Sequence, residues 1–287
     1  MKKPDEIQEI VIVTGASSGI GVATARELAG RGFHVLAGVR RDQDADAIRG
    51  SNLEPVILDI TNPDHVQALI LRLQQDPKGR LIRALVNNAG IGINAPVEIF
   101  AMEEWRRLFE INLFGHVAMI QALLPALLRS KGRVVNISSV GGKVAMATYG
   151  PYAATKFALE AMSDALRREV EPLGVKVIVV EPGAVSSEML SRVAVTSERV
   201  ISGMNPEQRG RYATLMRSVI SQAQAAIPKA LPAEAAGRAI ADAITTKRPR
   251  TRYTLGREAA LLPVFTILPD RILDWMLAAA LRPHFTK

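Results

Sequence analysis

Three polar side chains of this sequence could do acid–base chemistry together. Ser139 follows an apolar run at 133–138 that is typical of a buried strand, whereas Tyr152 and Lys156 lie at the start of an alanine-rich, helix-like segment, about 153–171. Residues four apart share one face of a helix, so the phenol and the ammonium would be neighbours. We expect this ammonium to lower the tyrosine pKa toward working pH, as a general acid/base needs. Taken alone, the same residues also fit a surface pair and an ordinary strand end.

The composition indicates a large intracellular domain. Hydrophobic residues make up 48% of the 287 residues, which is enough for a substantial core. The sequence has no cysteine, which excludes disulfides and thiolate metal sites and fits a reducing cytosol. Residues 1–6 lack the apolar stretch of a secretory signal, so we expect a cytoplasmic protein. We also expect no metal site.

The net charge of +8 admits nucleic acid, an anionic cofactor or a membrane surface as partner. The basic residues are mostly dispersed along the chain, and aromatic residues make up only 5% of it. Binding of nucleic acid bases usually needs clustered charge and aromatic stacking. We therefore expect no nucleic-acid partner.

A glycine-rich turn at 14–21 follows a short β-branched run at 10–13 and precedes a helix at about 22–30. Strand, turn and helix N-terminus in this order form an anion site, because glycines allow close backbone approach and free N–H groups hold a pyrophosphate. This is the context of a dinucleotide fingerprint. A turn used only for tight packing is the less favoured alternative.

The end of the second strand bears on the choice of dinucleotide. This strand, 33–39, is followed by Arg40 and Arg41. An NAD site usually has an acidic residue here for the ribose 2′-hydroxyl, whereas a 2′-phosphate needs an arginine. Val39 stands where the acid would be, so the sequence favours NADP(H), with NAD(H) as the alternative. Both arginines could instead be solvated loop cations paired with a nearby aspartate.

The predicted strands alternate with helices, and their apolar runs are nearly unbroken. This pattern is typical of a doubly wound, Rossmann-type parallel sheet with helices on both faces, here with about seven strands. Ligands bind such sheets beyond the carboxyl ends of the strands. The polar or glycine residues expected along this edge are Asp59, Asn88, Gly90 and Ser139.

Asn112 lies within an apolar helical stretch predicted at about 103–128. An amide in such a place must find hydrogen-bond partners or cost free energy. Asn112 is therefore either a helix-distorting water ligand or a core amide bonded to the backbone.

We predict a single domain, 1–287, with a helical lid insertion at about 188–230 and an apolar tail at about 257–287. The lid is rich in flexible apolar side chains, which favours an apolar alcohol or ketone as substrate, although most of them could simply pack the insertion onto the sheet. The tail contains an uncharged run of about eleven residues, too short for a bilayer that needs about twenty. Packing on the same chain or on a partner subunit ranks first, and peripheral membrane contact second.

Together these motifs resemble those of the short-chain dehydrogenase/reductase family, in the same order and spacing. The resemblance covers about residues 8–187, and segments at 134–142, 163–169 and 250–256 further resemble the retinol and hydroxysteroid dehydrogenase branch. The matching positions are residues 14–21, Asp59, residues 87–90, Asn112, Ser139, Tyr152, Lys156 and residues 182–183.

The resemblance implies a catalytic role for four residues. Tyr152 donates or accepts the proton at the substrate oxygen, and Ser139 hydrogen-bonds that oxygen. Ser138 is its rival, but the family's thirteen-position step to Tyr152 selects Ser139. Lys156 holds the nicotinamide ribose and depresses the tyrosine pKa, and Asn112 seats a water of a proton relay.

The resemblance also implies a set of cofactor contacts. The turn at 15–20 holds the phosphates, Asp59 the adenine and Asn88 a ribose, while Val185 and Ser187 border the nicotinamide amide. Ser187 departs from the threonine that many members have there, but it retains the hydroxyl. The complete expected cofactor set is Gly15, Ser17, Ser18, Gly19, Ile20, Arg40, Asp59, Asn88, Ala89, Gly90, Tyr152, Lys156, Pro182, Gly183, Val185 and Ser187.

We therefore expect an NADP(H)-dependent oxidoreductase that interconverts an apolar secondary or allylic alcohol of retinoid, steroid or acyl type with its ketone or aldehyde. A 3-oxoacyl thioester reductase would use the same catalytic groups and is the alternative within enzymes. A non-catalytic dinucleotide sensor is expected to have lost the tyrosine or the lysine, and both are present. We expect a homodimer or homotetramer.

Overall fold

Seven parallel strands form one sheet at the centre of the molecule. The computed structural model describes residues 8–186, 188–256 and 261–284. The strands lie in the order β3-β2-β1-β4-β5-β6-β7, and every neighbouring pair is parallel. They are β1 (Ile10–Val13), β2 (His34–Val39), β3 (Leu53–Ile57), β4 (Ile82–Asn87), β5 (Arg133–Ile137), β6 (Lys176–Pro182) and β7 (Arg252–Leu255). The predicted doubly wound sheet of about seven strands is confirmed.

Helices connect the strands and cover both faces of the sheet. They are α1 (Gly19–Gly30), α2 (Asp42–Ile48), α3 (Pro63–Gln74), α4 (Met102–Phe109), α5 (Gly115–Ser130), α6 (Gly150–Val170), α7 (Glu188–Ser202), α8 (Pro206–Ala226), α9 (Ala233–Thr245), α10 (Leu262–Phe265) and α11 (Asp270–Leu281). A π-helical turn, Glu110–Phe114, joins α4 to α5. The predicted lid insertion is helical and consists mainly of α7 and α8.

The unbroken apolar strands are explained by burial on both sides. All four residues of β1 are fully buried. Because side chains alternate along a strand, Val11 and Val13 pack into the core formed with α1 and α9, whereas Ile10 and Ile12 pack into the core formed with α3 and α5. The strand order reverses between β1 and β4, which is where ligands bind in folds of this kind.

Strand β3 ends at Ile57, so Asp59 lies in the loop just beyond it, at the sheet edge where it was expected. Two local features differ from the expectations. The helix predicted at 103–128 begins at Met102 and contains the π-helical turn at Asn112. Helix α2 was not expected, since its seven residues are mostly polar and bury only Ala45 and Ile48.

The helical segment Met102–Ser130 is the one described helix that is long and apolar enough to cross a membrane. Length and composition alone are weak grounds, because core helices of soluble proteins share them. Here Met119, Leu123 and Leu127 pack into the core beside the sheet.

Candidate active site and dinucleotide groove

Ser139 and Tyr152 meet beyond the end of β5. The Ser139 Oγ accepts a hydrogen bond from the Gly141 amide at 3.0 Å and donates to the Pro182 carbonyl at 3.4 Å. A Cβ on Gly141 would lie 3.4 Å from this Oγ and 3.5 Å from the Tyr152 ring, so the two side chains border the same small space. The Ser139 hydroxyl is also close enough to the phenol to lower its pKa. The structure thus brings together the serine and tyrosine that the sequence selected.

The expected lowering of the Tyr152 pKa by Lys156 is wrong for this structure. Burial raises the pKa of Tyr152 to about 12, against a smaller lowering by the nearby Ser139 hydroxyl, and the nearby Tyr149 raises it further. The Lys156 ammonium lies 5.8 Å from the centre of the Tyr152 ring and donates to the Ile137 carbonyl at 2.8 Å. Burial also lowers the pKa of Lys156 to about 8. Desolvation, and not the charge of Lys156, therefore sets the direction of the Tyr152 pKa shift.

Asn112 is a core amide bonded to the backbone, the second of the two alternatives. Its Oδ1 accepts from the Ile91 amide at 2.9 Å, and its Nδ2 donates to the Ile91 carbonyl at 2.9 Å and to Thr155 at 3.1 Å. It is fully buried in the π-helical turn, so the helix is also distorted at this point. These bonds connect the turn after β4 to the residue before Lys156.

The glycine-rich turn forms the backbone cradle that a pyrophosphate needs. Gly15 has φ +62°, and a Cβ there would lie 2.7 Å from Ala89 Cα. A Cβ on Gly21 would lie 2.2 Å from the Gly15 carbonyl oxygen, so no side chain fits. Ser18 precedes α1 but makes no side-chain cap, which leaves the first N–H groups of the helix available to an anion. The turn thus fits a dinucleotide phosphate.

A cavity of about 1030 Å³ runs from this turn along the carboxyl edge of β1, β2 and β4. Side chains of the lid, including Arg192, Val200 and Met204, line its opposite wall. The expected cofactor residues that line it are Gly15, Ser17, Ser18, Gly19, Ile20, Arg40, Asp59, Asn88, Ala89 and Gly90. The structure therefore gathers ten of the expected residues at one groove.

The remaining expected residues lie elsewhere. Pro182 accepts the Ser139 hydrogen bond, and the Gly183 amide donates to Leu255 at 2.8 Å. Val185 forms an isolated bridge with Leu231. Ser187 lies outside the described residues, as do residues 257–260 and 285–287 of the expected tail. Tyr152 lies beside Ser139, which bonds Pro182, and Lys156 is on the same helix as Tyr152. Neither Tyr152 nor Lys156 lines the large cavity.

Arg40 and Arg41 differ in their surroundings. Arg41 forms two hydrogen bonds of 2.8 Å with Asp44, as the loop-cation alternative required. Arg40 lines the cavity and makes no ion pair within the described part of the chain. The pKa of Asp59 is lowered, because hydrogen bonds from Thr61 and the charge of Arg40 outweigh its desolvation. Arg40 is thus available to an anion, whereas Arg41 is held by the protein.

Asn88 organises the groove by holding its neighbours. Its Nδ2 donates to the carbonyls of Thr14 and Gly15, both at 2.9 Å. In return, the Thr14 Oγ1 accepts from the amides of Asn88 and Ala89, both at 3.0 Å. These bonds tie the glycine-rich turn to the turn after β4, so the side-chain nitrogen of Asn88 is already occupied by the backbone.

Sequence reasoning missed two polar residues of the site, His116 and Tyr149. His116, one turn after Asn112, is fully buried and its Nε2 lies 2.7 Å from the Ala89 carbonyl. Tyr149 lies beside Tyr152, and burial raises its pKa against a smaller lowering by the nearby Asn94. Their only sequence signal was spacing. His116 follows Asn112 by four positions, and Tyr149 precedes Tyr152 by three.

An ion cluster lies directly behind the Ser139 loop. The Lys143 ammonium is 3.0 Å from Glu160, and the Arg252 guanidinium is 3.1 Å from the same carboxylate and 3.2 Å from Glu181. Both carboxylates are buried. The cluster connects the loop after β5, helix α6 and strands β6 and β7. Nowhere within residues 8–186, 188–256 and 261–284 do His, Asp and Glu gather in a group suited to a metal ion.

Comparisons with known proteins agree with this geometry. A family model described as short chain dehydrogenase matches residues 9–197. The chain is 34% identical to human retinol dehydrogenase 5 over 281 residues, which cover 93% of this chain and 88% of that protein. The structure of a short-chain dehydrogenase from Streptomyces avermitilis superposes with a TM-score of 0.75 at 30% identity, covering 96% of this chain and 95% of the other. A short chain dehydrogenase from Burkholderia cenocepacia in complex with NADP gives a TM-score of 0.73 at 26% identity, with coverage of 95% and 99%.

Proposed function

Because the chain belongs to the short-chain dehydrogenase family and resembles its retinol dehydrogenases, we propose that it interconverts an apolar secondary or allylic alcohol and its carbonyl compound with NADP(H). The family makes it an NAD(P)-dependent oxidoreductase acting on CH–OH groups. The observation that supports the proposal most is that Ser139 and Tyr152 border the same small space beside the buried ammonium of Lys156. This group stands at the same sheet edge as the glycine-rich turn.

In the proposed reaction, a nicotinamide dinucleotide held by the groove residues would supply the hydride chemistry at the substrate carbon. The Ser139 Oγ holds the substrate oxygen, and the Tyr152 hydroxyl gives or takes the proton at that oxygen. With a pKa of about 12, the phenol is protonated at neutral pH and is suited to donate to a carbonyl oxygen. Lys156 places a positive charge next to the phenol, which offsets negative charge developing on the tyrosine oxygen when it donates.

The preference for NADP(H) is supported by Arg40. Its guanidinium reaches the cavity and is not paired with a carboxylate within the described residues, so a 2′-phosphate would find a free cation there. The Burkholderia relative with 26% identity was crystallised with NADP. The proposed cofactor residues are the ten that line the groove together with Tyr152, Lys156, Pro182, Gly183, Val185 and Ser187.

The apolar substrate class is supported by the lid. Val200 and Met204 of the lid line the cavity together with Ile99 and Phe100. Met216 and Ile220 of α8 are buried in a cluster that packs against Ile99. Part of the insertion therefore serves ordinary packing, which was the alternative to a substrate-binding lid. Retinoid-, steroid- and acyl-like compounds are therefore the first substrates to test.

The tail supports a contact outside the chain. Helix α11 packs on α8, where Gln222 donates to the Ala280 carbonyl at 3.5 Å, and Ser221 bonds His284 just beyond α11. Ile267 and Trp275 of the tail are nevertheless 79% and 64% exposed. Packing on the same chain therefore leaves this apolar surface uncovered. We propose a cytoplasmic homodimer or homotetramer in which the tail meets a partner subunit or a membrane surface. Sedimentation of the full chain with and without lipid vesicles separates these two contacts.

The decisive experiment is a screen of alcohols and carbonyl compounds with NADH and NADPH in parallel, followed at the nicotinamide absorbance. We expect turnover of apolar ketones or aldehydes with NADPH, and a loss of about 10²–10⁴-fold in Tyr152→Phe with NADPH binding unchanged. Turnover confined to 3-oxoacyl thioesters would establish the thioester reductase instead. A parent protein that binds NADPH but turns over nothing in the panel would favour the sensor.

A further inference from the structure

His116 is a fully buried histidine for which the proposed mechanism has no role. It lies in the first turn of α5, four residues after Asn112. Its Nε2 lies 2.7 Å from the carbonyl oxygen of Ala89, and Ala89 lines the dinucleotide groove. Asn112, in the π-helical turn before α5, bonds both backbone groups of Ile91. The turn after β4 is therefore held by hydrogen bonds at two points.

The bond to Ala89 fixes the tautomer of the ring. A carbonyl oxygen can only accept, so Nε2 must carry the hydrogen and Nδ1 must be an acceptor. Burial and the positive charge of Lys156 lower the pKa of His116 to about 3, which keeps the ring neutral at working pH. Nδ1 is buried and has no hydrogen-bond partner among the described residues. An unpaired buried acceptor destabilises the fold, and proteins usually satisfy such atoms with ordered water.

Lys156 offers the matching donors. It is buried on α6, and one of its three N–H groups is bonded to the Ile137 carbonyl. Asn112 bonds Thr155, the residue before Lys156, so α5 and α6 are in contact at this level. The charge of Lys156 acts on His116, yet the two side chains form no direct hydrogen bond. A single water between them would satisfy both.

We propose that His116 is a positioning residue of the active site, with Nδ1 accepting through one buried water from the Lys156 ammonium and Nε2 holding the Ala89 carbonyl. One side chain thus connects the catalytic lysine to the wall of the cofactor groove. The other titratable groups nearby are Glu160, which favours the ammonium, and Tyr152 with its neighbour Tyr149. The consequences for turnover rest on the proposed function, whereas the water site does not.

The parent protein provides the first test. Nitrogen-15 NMR of the full chain should show His116 as a neutral ring with hydrogen on Nε2 from pH 6 to 9. A crystal structure at high resolution should show a water within about 3.2 Å of both Nδ1 and the Lys156 ammonium. A protonated ring, a ring with hydrogen on Nδ1, or no water at Nδ1 would overturn the inference.

A matched pair of variants tests the two ends of the ring separately. His116→Gln retains a donor for Ala89 but lacks the Nδ1 acceptor, whereas His116→Asn retains a group near Nδ1 but is too short for Ala89. For His116→Gln we expect kcat to fall about tenfold and the pH profile of alcohol oxidation to move to higher pH, because the lysine is less readily charged, with the NADPH dissociation constant unchanged. His116→Asn should weaken NADPH binding and retain the parent's pH profile.

A His116→Gln variant with the parent's kcat and pH profile would overturn the inference. Thermal unfolding checks that both variants are folded, and if neither is, the NMR and crystallographic results on the parent protein decide. A parent protein without turnover would sink the proposed function but leave the water site to those same two measurements.

Discussion

The Lys156 ammonium lies 5.8 Å from the centre of the Tyr152 ring, and its hydrogen bond goes to the Ile137 carbonyl at 2.8 Å. Four residues apart on α6, the two side chains are neighbours as helix geometry requires, but no carboxylate lies within ion-pair distance of the ammonium in the described structure. A buried cation without such a partner costs stability. The protein therefore retains a charge that its core would be better without, which is expected where the charge serves chemistry.

We predict that Lys156→Met stabilises the fold while it inactivates the enzyme. Because burial lowers the pKa of Lys156 to about 8, below its ordinary value of about 10.4, the unfolded chain binds more protons between these values. The free energy of unfolding of the parent should thus rise as pH increases from about 8 to about 10.4. Below this window the full cost of burying the charged lysine is present. Urea unfolding at pH 7 should show the variant more stable by about 1–2 kcal/mol, and this gain should shrink by pH 10.

The matched comparison for that prediction is Lys176→Met, at a half-exposed lysine paired with Glu171. It should change the free energy of unfolding by less than about 0.5 kcal/mol at either pH. A Lys156→Met variant that is less stable than the parent at pH 7 would show that the bond to Ile137 outweighs the desolvation.

Arg40→Ser should change the choice of cofactor. Since Arg40 reaches the groove without an ion-pair partner among the described residues, its loss should raise the KM for NADPH about 10–100-fold and leave the KM for NADH almost unchanged. Steady-state kinetics with both nucleotides measures this. Arg41→Ser, which removes a guanidinium already held by Asp44, should have a much smaller effect. Equal use of NADH and NADPH by the parent would contradict the prediction.

Glu160→Gln should weaken both the fold and catalysis. Lys143 and Arg252 lie 3.0 and 3.1 Å from this buried carboxylate, and its loss leaves two cations with fewer partners. Breaking a buried ion pair typically costs about 3–5 kcal/mol. A Cβ on Gly142 would lie 3.1 Å from Glu160 Cγ, so the side chain also supports the loop that carries Ser139.

For this variant we expect a lower denaturation midpoint and a lower kcat with an unchanged dissociation constant for NADPH. Glu169→Gln, at an exposed position of the same helix, should leave all three quantities as in the parent. A Glu160→Gln variant with normal kcat would show that the cluster is not needed to place Ser139.

Much of this architecture could be predicted from the sequence, because burial on both faces leaves an unbroken apolar run such as Ile10–Val13. The glycine turn was predictable for a similar reason, since backbone contacts as close as that of Gly21 with Gly15 exclude any side chain. The juxtaposition of Ser139 and Tyr152 followed from one strand end and one helix start. Each of these inferences depends on local pattern and on the rule that parallel strands end at one edge.

The pKa of Tyr152 could not be predicted in this way, because its direction depends on how deeply the phenol is buried and on where the Lys156 ammonium points. Neither is a property of spacing along a helix. Helix α2 has only seven residues, of which two are buried. It is therefore too short to show the helical spacing of apolar residues. The π-helical turn and the burial of His116 depend on contacts with residues 89–91, which are more than twenty positions away along the chain.

Asp76→Asn should destabilise the protein without touching the site. The side chains of Asp76 and Arg80 are both buried. The carboxylate accepts from the Arg80 guanidinium at 2.5 Å and from the Arg80 amide at 2.9 Å, and Arg72 lies 3.3 Å away. The Arg80 hydrogen bonds hold the pKa of Asp76 well below its ordinary range. A lowered carboxyl pKa contributes stability that is present above its unfolded pKa, about 3.9, and is lost as pH falls.

Urea unfolding at pH 7 should therefore show the Asp76→Asn variant less stable by about 3 kcal/mol, and the difference should remain constant from pH 8 to 5 and then shrink below about pH 4. The exposed Asp46 of α2 offers the comparison, because Asp46→Asn should cost less than about 0.5 kcal/mol at every pH. Turnover should be unchanged in both variants, since neither residue lines the groove. A difference at pH 7 that persists undiminished at pH 3 would mean that Asp76 acts by packing rather than through its charge.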